Sequence, residues 1–522
     1  MMKLNNRFRD SKIINSSRRE FLSGCAACGA CFALSPLVLM SSSCSTGLRG
    51  KMRIRIVYSA PGPVLPYGGW PNIGFDFAAE TENFNTVLTD NFPAFNFLPV
   101  TASGPEDGEK ILALEKDDKI DGYIVFHMHG KSQVAPTIVK SDKPMLYVNY
   151  LYGGSGRFLT NNAGFLRNYE PGVGFVSSSK IEDLIAAVKA FEIIEKGGSS
   201  DDFVAEVTRS RKNSTPPPGN LKCRTDEIKI LSMDEWQKRI RNSRILAVRD
   251  QKSGPSDPIM GIPVEYISFA ELNKAMESVN EDKAGVIAGE WVKKAREIND
   301  VSFDTLENSA CMYLGMKLLL ESHGANAIAV NCLGGFYGGH LHAYPCLGFH
   351  ELLNEGLVGA CECDLSSAAT MVAFTTLTGR PGYISDPVID TSKRQIIYAH
   401  CVAPNKVFGP DGPTNPFTIM THSEDRQGAS VRSILPVDYL TTTLKIDNNR
   451  KEIIFHQSKA LDNDPDDRAC RTKLSTEPIG DIEKLFTQWD QWGWHRVTFY
   501  GDLKEPVYRL ADTIGWNVIE EA

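Results

Sequence analysis

The hydrophobic pattern of the chain changes near Gln395, and this change constrains the fold more than any other feature. Before it, strand-like apolar runs at residues 52–58, 121–126 and 144–148 alternate with stretches of helical period such as residues 105–118. After it, the helical period disappears, and short β-branched segments at 439–446, 452–455 and 496–500 alternate with polar turns. Alternating strands and helices indicate parallel sheets, whereas closely spaced strands indicate an antiparallel sheet or small barrel. We therefore predict an α/β protein with a strand-rich C-terminal part.

The α/β region divides into two units of similar pattern. We predict a first α/β domain over residues 52–200, a second over residues 222–377 and a strand-rich domain over residues 378–522. In the first unit, residues 180–196 carry the clearest apolar stripe of a helix, with Ser179 as its predicted N-cap and Gly197 as its end. Residues 199–221 are polar and contain three consecutive prolines, so we interpret them as a linker.

Residues 1–48 have the pattern of an export signal. Arg18 and Arg19 precede Phe21 and Leu22, and an uncharged stretch rich in Ala, Cys, Leu and Gly continues to residue 40. Paired arginines before such a stretch are typical of twin-arginine signals. They predict a protein exported by that route, either periplasmic or tethered on the outer side of a membrane. The Gly and Pro content of the stretch disfavours a permanent transmembrane helix, and whether Cys44 carries a lipid stays open. We expect no other contact with a membrane, because no other segment is long and apolar enough to cross one.

The charge balance narrows the class of ligand. The chain has 56 Lys and Arg against 64 Asp and Glu, a net charge of −8. A chain this acidic lacks the basic surface that binds phosphate backbones, so we expect no nucleic-acid partner. A small, uncharged or weakly polar molecule fits better. Eight cysteines follow the predicted signal, but a chain of this length does not need disulfides for stability, and we predict no particular bridge.

Carboxylates and imidazoles concentrate between residues 331 and 400 and again near the C-terminus. Glu362 and Asp364 follow a short apolar segment and precede a helical stretch at residues 365–377. Such strand-to-helix junctions are where α/β sheets place their ligand sites. The remaining candidates lie further along the chain: Asp386, Asp390, His400 and His495.

This set of side chains favours a site for one divalent metal ion. Carboxylates with one or two imidazoles and no thiolate suit Mn²⁺ or a similar ion that keeps positions open for substrate oxygens. An ion bound by two neighbouring oxygens of a sugar acidifies the C–H between them, and two nearby carboxylates can act as base and acid. The pattern therefore predicts proton transfer between neighbouring carbons through an enediol. Asp386 and Asp390 both remain candidates for the second carboxylate.

Four segments resemble the L-fucose isomerase and L-arabinose isomerase superfamily. They are Ala-Cys-Glu-Cys-Asp at 360–364, Thr-Gly-Arg-Pro at 378–381 with the aspartate at 386, Cys-Arg-Thr at 470–472, and Gly-Trp-His-Arg-Val-Thr-Phe-Tyr-Gly-Asp at 493–502. The resemblance implies two Rossmann-like (flavodoxin-like) parallel-sheet domains followed by an antiparallel β-barrel. It also implies a Mn²⁺-type ion held by Glu362, Asp386 and His495, with His400 as a second imidazole. Glu362 and Asp386 would then also be the catalytic acid and base.

We therefore expect an exported, metal-dependent enzyme, an intramolecular oxidoreductase that interconverts an aldose and a ketose of a free monosaccharide. The resemblance further implies a homo-oligomer in which a neighbouring subunit would complete each site. Two alternatives stay open. A non-catalytic exported sugar-binding protein would need neither metal nor proton-transfer groups. A metal-assisted epimerase or lyase acting on a sugar would use the same residues and give another product.

Overall fold

The computed structural model describes residues 51–115 and 119–522. The predicted export signal therefore lies outside the described residues, as does the end of the helix predicted over residues 105–118. No helix in the described ranges has the length and apolarity needed to span a membrane.

The first part of the chain forms a parallel sheet with helices between its strands. Its elements are β1 (Met52–Ser59), α1 (Phe77–Asn91), β2 (Phe95–Ala102), α2 (Pro105–Leu114), β3 (Gly122–His127), α3 (Ala135–Ile138), β4 (Met145–Asn149), α4 (Ser155–Arg167), β5 (Val173–Val176), α5 (Ile181–Val188), α6 (Phe191–Glu195) and α7 (Ser200–Ser214). The strand order is β2-β1-β3-β4-β5, all parallel, which is the flavodoxin-like order. Strands β3, β4 and β5 are buried along their whole length, as expected for a sheet covered on both faces.

The helix predicted over residues 180–196 is wrong in two respects. It is divided into α5 and α6, which are separated by Lys189 and Ala190. Ser179 does not cap it, because the N-cap position is Lys180, whose backbone N–H donates to the hydroxyl of Ser178 at 3.0 Å. The apolar stripe identified a helix here, but it did not locate the interruption.

The predicted linker at residues 199–221 is also wrong, because most of it forms α7. Ser199 and Asp202 make a reciprocal capping box: the Ser199 hydroxyl accepts from the Asp202 N–H at 3.1 Å, and the Asp202 carboxylate accepts from the Ser199 N–H at 3.0 Å. The helix then buries Phe203 and Val207. The helix was not predicted because its composition is mostly polar and only a narrow stripe of its surface is apolar.

The second part forms another α/β sheet. Its elements are α8 (Met233–Arg241), β6 (Ile245–Arg249), β7 (Gly254–Ile259), β8 (Ile262–Ser268), α9 (Phe269–Glu277), α10 (Glu281–Lys294), β9 (Glu297–Asn299), α11 (Phe303–Ser322), β10 (Ala327–Val330), α12 (Cys332–Tyr337), α13 (Cys346–Asn354), β11 (Val358–Ala360) and α14 (Leu365–Thr378). The strand order is β11-β10-β6-β8-β7. The first four strands are parallel, and the exposed edge strand β7 is antiparallel to β8.

The last part contains a closed barrel. Its elements are β12 (Tyr383–Asp390), β13 (Gln395–His400), β14 (Phe417–Met420), β15 (Ser430–Ser433), β16 (Leu440–Asp447), β17 (Glu452–Asn463), β18 (Thr472–Pro478), α15 (Leu485–Gln488), β19 (Arg496–Tyr500), α16 (Lys504–Ile514) and β20 (Asn517–Glu520). Six antiparallel strands follow one another in the order β16-β19-β12-β13-β18-β17, and β17 pairs back to β16. Strands β14, β15 and β9 form a small separate sheet, and β20 joins β17 in parallel. The predicted fold class, two parallel-sheet α/β units followed by an antiparallel barrel, is confirmed.

Candidate metal and catalytic site

Glu362 lies at the carboxyl end of the second sheet, in a turn with unusual backbone geometry. Strand β11 ends at Ala360, and Glu362 and Cys363 then adopt φ values of +54° and +49°. Left-handed conformations at two successive residues other than glycine are uncommon, and they cluster at functional sites. The turn ends at Asp364, whose side chain accepts from the Ser367 N–H at 3.0 Å and caps α14. The Glu362 side chain lines a cavity at this edge of the sheet.

Adjacent barrel strands bring the other predicted residues to the same place. Asp386 on β12 pairs with the residue before His400 on β13. The residue before Asp386 pairs with Arg496 on β19, directly after His495. Because neighbouring antiparallel strands keep opposed residues close together, this register gathers Asp386, His400 and His495 at one end of the barrel.

Glu362, Asp386 and His495 converge on one point. The His495 Nε2 atom lies 3.5 Å from Glu362 Oε2 and 3.2 Å from Asp386 Oδ1. Two ligands about 2.1 Å from one ion and about 90° apart lie about 3 Å from each other. Two carboxylate oxygens and one imidazole nitrogen also form the donor set expected for Mn²⁺ and similar ions. The residues present therefore fit a divalent cation.

His495 is held from behind by a residue whose role the sequence did not predict. Its Nδ1 atom lies 3.2 Å from Asp364 Oδ2, and the same oxygen accepts from Lys445 Nζ at 2.8 Å. A carboxylate on one imidazole nitrogen fixes the tautomer and directs the lone pair of the other nitrogen toward a ligand. In this structure that other nitrogen, Nε2, accepts from the Trp494 indole N–H at 3.1 Å. The sequence identified Asp364 only as a carboxylate beside Glu362 at a strand-to-helix junction, because its contact with His495 depends on the barrel.

The structure places His400 beside this group but in a second set of donors. His400 Nδ1 contacts the other oxygen of the aspartate, Asp386 Oδ2, at 3.2 Å. Donor atoms of Asp386, His400 and Cys470 lie within 4.8 Å of one another, as do those of Glu362, Asp386 and His495. The prediction that His400 is a second imidazole ligand of the same ion stays a prediction, because His400 contacts Asp386 but is not grouped with Glu362.

The structure also separates the two candidate aspartates. The carboxylate of Asp390 accepts from the Ser179 N–H and from the backbone and hydroxyl of Ser392, at 2.7–3.1 Å. Asp390 thus closes the turn after β12 and joins it to the first sheet. Asp386, by contrast, contacts the imidazoles of His400 and His495.

Electrostatics distinguishes the two carboxylates of the cluster. Burial and the like charge of Asp386 raise the pKa of Glu362, although His495 opposes the shift. Burial would also raise the pKa of Asp386, but His495 and His400 outweigh it and hold that pKa well below its usual value. Burial alone would lower the pKa of His495, but the charges of Asp386 and Glu362 outweigh burial and raise this pKa to about 10. The negative potential that favours a proton on this imidazole also favours a divalent cation.

The cavity lies between this cluster and the carboxyl edge of the first sheet. The loops after β1, β3 and β4 and the first turn of α4 line its other wall, through Gly69, Trp70, His129, Gly130, Lys131, Gly153, Gly154, Gly156 and Arg157. These segments belong to the same chain as the cluster, and the expectation that a second subunit completes the site stays a prediction.

Two cations on this wall have no acidic partner. The Arg157 guanidinium lies 4.7 Å from the ring centroid of Trp494, and its Nε atom is buried without a hydrogen bond. Lys131 Nζ lies over the rings of Tyr67 and Tyr337 at 5.2 and 5.7 Å. Among the residues that the structure describes, neither side chain forms an ion pair. The overall negative charge predicted an uncharged ligand, but the charge at the cavity is positive on this side.

A third carboxylate, Glu424, also lines the cavity and was not predicted. It is buried, and it accepts from the Tyr337 hydroxyl at 3.0 Å. Burial and the nearby Glu362 raise the pKa of Glu424 to about 7, against the opposing charge of His422. Groups with perturbed pKa values that line a cleft are candidates for proton transfer.

The sequence of this chain is similar to those of known sugar isomerases. The chain is 23% identical over 288 residues to the sulfoquinovose isomerase of a Clostridium species, covering 49% of this chain and 57% of that protein. It is 30% identical over 90 residues to the sulfoquinovose isomerase of Priestia aryabhattai, covering 17% and 20% of the two chains. It is 26% identical over 141 residues to the L-arabinose isomerase of Clostridium beijerinckii, covering 27% and 28%.

These matches confirm the resemblance to fucose and arabinose isomerase-like proteins, at low identity. No family model matches the chain. The alignments span little more than half of the first relative's length and shorter parts of the others.

Proposed function

We propose that this chain is a metal-dependent isomerase that interconverts the aldose and ketose forms of a monosaccharide. The proposal rests on the convergence of Glu362 and Asp386 on His495 Nε2, at 3.5 and 3.2 Å. The cavity beside these residues is lined by both α/β units and the barrel. A protein that only binds sugars needs no such donor set. The homologues named as sugar isomerases support the same activity.

Glu362, Asp386 and His495 would hold the ion, for which Mn²⁺ is the proposed identity because the set has no thiolate. When bound, a divalent ion polarises two adjacent sugar oxygens and makes the C–H between them more acidic. Asp364 and Lys445 keep His495 in one orientation.

Proton transfer falls to the carboxylates. One of Glu362 and Asp386 removes the proton at C2 of the aldose while O1 gains a proton, which gives an enediol; a proton added at C1 with loss of the proton on O2 then gives the ketose. The opposite shifts in their pKa values suit such a division into acid and base.

The sugar would carry an anionic group at the end away from the reacting carbons. Arg157 and Lys131 face the cavity from the wall opposite the cluster and lack acidic partners in the described part of the chain. The relatives named sulfoquinovose isomerase act, by their name, on a sulfo sugar. A sulfonate, carboxylate or phosphate would satisfy both cations through charge-assisted hydrogen bonds.

Deuterium exchange tests the activity. The full-length protein loaded with Mn²⁺ is incubated in D₂O with neutral aldoses, uronic acids, sugar sulfonates and sugar phosphates, and NMR follows exchange at C2 and the products. We expect metal-dependent exchange with formation of ketose. Glu362→Gln should abolish exchange, and Glu321→Gln, an exposed residue at the end of α11, should not.

Other outcomes identify the alternatives. Binding of a sugar without any exchange would indicate a sugar-binding protein, and exchange that yields only the C2 epimer would indicate an epimerase. Equal kcat/KM for neutral and anionic sugars would refute the anionic group while leaving isomerisation intact.

We further propose export by the twin-arginine route and assembly into a homo-oligomer. The paired arginines at positions 18 and 19 support the first, and the resemblance supports the second. Replacing both arginines with lysine should retain the protein in the cytoplasm. Sedimentation of the purified protein should give a multiple of the mass of one chain.

A further inference from the structure

Asp386 uses its two oxygens for two different imidazoles. Oδ1 lies 3.2 Å from His495 Nε2, within the group that contains Glu362. Oδ2 lies 3.2 Å from His400 Nδ1, within the group that contains Cys470. The carboxylate is therefore positioned as a bridge between two donor sets.

The second set is buried and incompletely satisfied. His400 is 2% exposed and Cys470 is 5% exposed. His400 Nε2 is buried without a hydrogen-bond partner among the described residues. An unpartnered buried nitrogen costs free energy, and such atoms in native structures often indicate a missing ligand or a functional role. Cys470 forms no disulfide, and its thiol contacts the buried free thiol of Cys401.

The chemistry of this set differs from that of the first. Cysteine sulfur, histidine nitrogen and carboxylate oxygen are each zinc ligands, and catalytic zinc sites commonly have three protein ligands. Mn²⁺ has little preference for sulfur, whereas Zn²⁺ and softer ions bind thiolate readily.

We propose that Asp386, His400 and Cys470 form a second metal site, selective for Zn²⁺ or softer divalent ions, with Asp386 bridging to the Glu362–His495 group. Binding forms a metal–sulfur bond and releases the thiol proton of Cys470 to solvent. The site requires no isomerase activity, so it stands or falls separately from the proposed function. Because Asp386 is shared, occupation of the second site alters the charge that this carboxylate offers to the first.

Cadmium titration tests the proposal, because a thiolate bound to Cd²⁺ produces a charge-transfer band in the ultraviolet. The full-length protein, freed of metal, is titrated with Cd²⁺ while absorbance and bound metal are measured. We expect two bound equivalents, one of which produces the band. Cys470→Ser should remove the band and keep one equivalent, whereas Glu362→Gln should keep the band. The half-buried Cys223 provides the matched control, and Cys223→Ser should behave like the wild type.

A second thiol pair makes the test decisive. Cys332 and Cys361 lie with their sulfurs 3.2 Å apart beside Glu362, and they could also bind Cd²⁺. The thiol of Cys401, which contacts Cys470, is a further possible ligand. A band that survives in Cys470→Ser and disappears in Cys361→Ser or in Cys401→Ser would overturn the proposal, as would the absence of any band in the wild type. If circular dichroism shows that Cys470→Ser does not fold, His400→Asn should weaken the band-forming step by about tenfold or more, and an unchanged affinity would again overturn the proposal.

Discussion

At the scale of single residues, Asp364 determines how well His495 can act as a ligand. Its Oδ2 contacts both His495 Nδ1 and Lys445 Nζ. Asp364→Asn removes the charge that orients the imidazole. Losing a residue that hydrogen-bonds to a metal ligand typically lowers metal affinity about 10- to 100-fold. We expect the dissociation constant for Mn²⁺ to rise by that factor in calorimetric titration. Asp257→Asn, on the exposed edge strand β7, is the matched control, and a wild-type affinity in Asp364→Asn would refute the role.

Glu424 offers a second prediction at this scale. It lines the cavity and contacts Tyr337, but it belongs to neither donor group. Glu424→Gln preserves its shape and removes its capacity to exchange a proton. We expect kcat to fall by about 100-fold, with the Mn²⁺ dissociation constant changed less than about threefold. The measurement is steady-state kinetics beside a metal titration, and a loss of metal binding as large as the loss of turnover would assign Glu424 to the metal site instead.

At the scale of elements, the C-terminal strand β20 is held in place by ion pairs of Glu521, the residue that follows it. The Glu521 carboxylate accepts from Arg496 at 2.7 Å and lies 3.1 Å from His456 Nδ1. Burial would raise the pKa of Glu521, but Arg496 and His456 outweigh it and lower the pKa from 4.5 to about 2. A carboxylate whose pKa is depressed on folding stabilises the fold above its unfolded pKa, and that stability is lost as the pH falls toward the folded pKa.

The stability of the protein should therefore fall between about pH 4.5 and pH 2, with about 3 kcal/mol arising from Glu521. Glu521→Gln should lower the melting temperature at pH 7 and flatten its dependence on pH in this window. The adjacent Glu520, which forms an exposed pair with Lys504, provides the control. Parallel pH curves for Glu521→Gln and the wild type, followed by circular dichroism, would show that the ion pair does not contribute.

The elements also show which parts of the fold the sequence could predict. Buried parallel strands and the helix after Glu362 are long apolar segments, and their local pattern is sufficient to identify them. Helices α7 and α16 were missed because only a narrow stripe of each is apolar; in α16 it consists of Val507, Leu510 and Ala511. The Ser199 and Asp202 pair was the available signal for α7. The separation of His400 from Glu362 could not be predicted, because it depends on the register between β12 and β13.

At the scale of the whole molecule, the proposed function divides between the two walls of the cavity. The second sheet and the barrel supply Glu362, Asp386 and His495, whereas the first sheet supplies the cations Lys131 and Arg157. Metal binding and recognition of the sugar's anionic group should therefore be separable by mutation. A divalent ion that binds only the folded state at 100 times its dissociation constant adds about 2.7 kcal/mol of stability.

We expect Mn²⁺ to raise the melting temperature of the wild type and of Arg157→Gln equally, and to leave that of Glu362→Gln nearly unchanged. Arg157→Gln should instead raise KM for the anionic sugar by about 10- to 100-fold, since a hydrogen bond to a charged group contributes about 1.5–3 kcal/mol. Arg167, on the same helix but paired with Asp490, is the control, and Arg167→Gln should change neither quantity. Loss of the Mn²⁺ effect in Arg157→Gln would mean that the two walls act as one unit, because the cation site would then depend on the position of the first sheet.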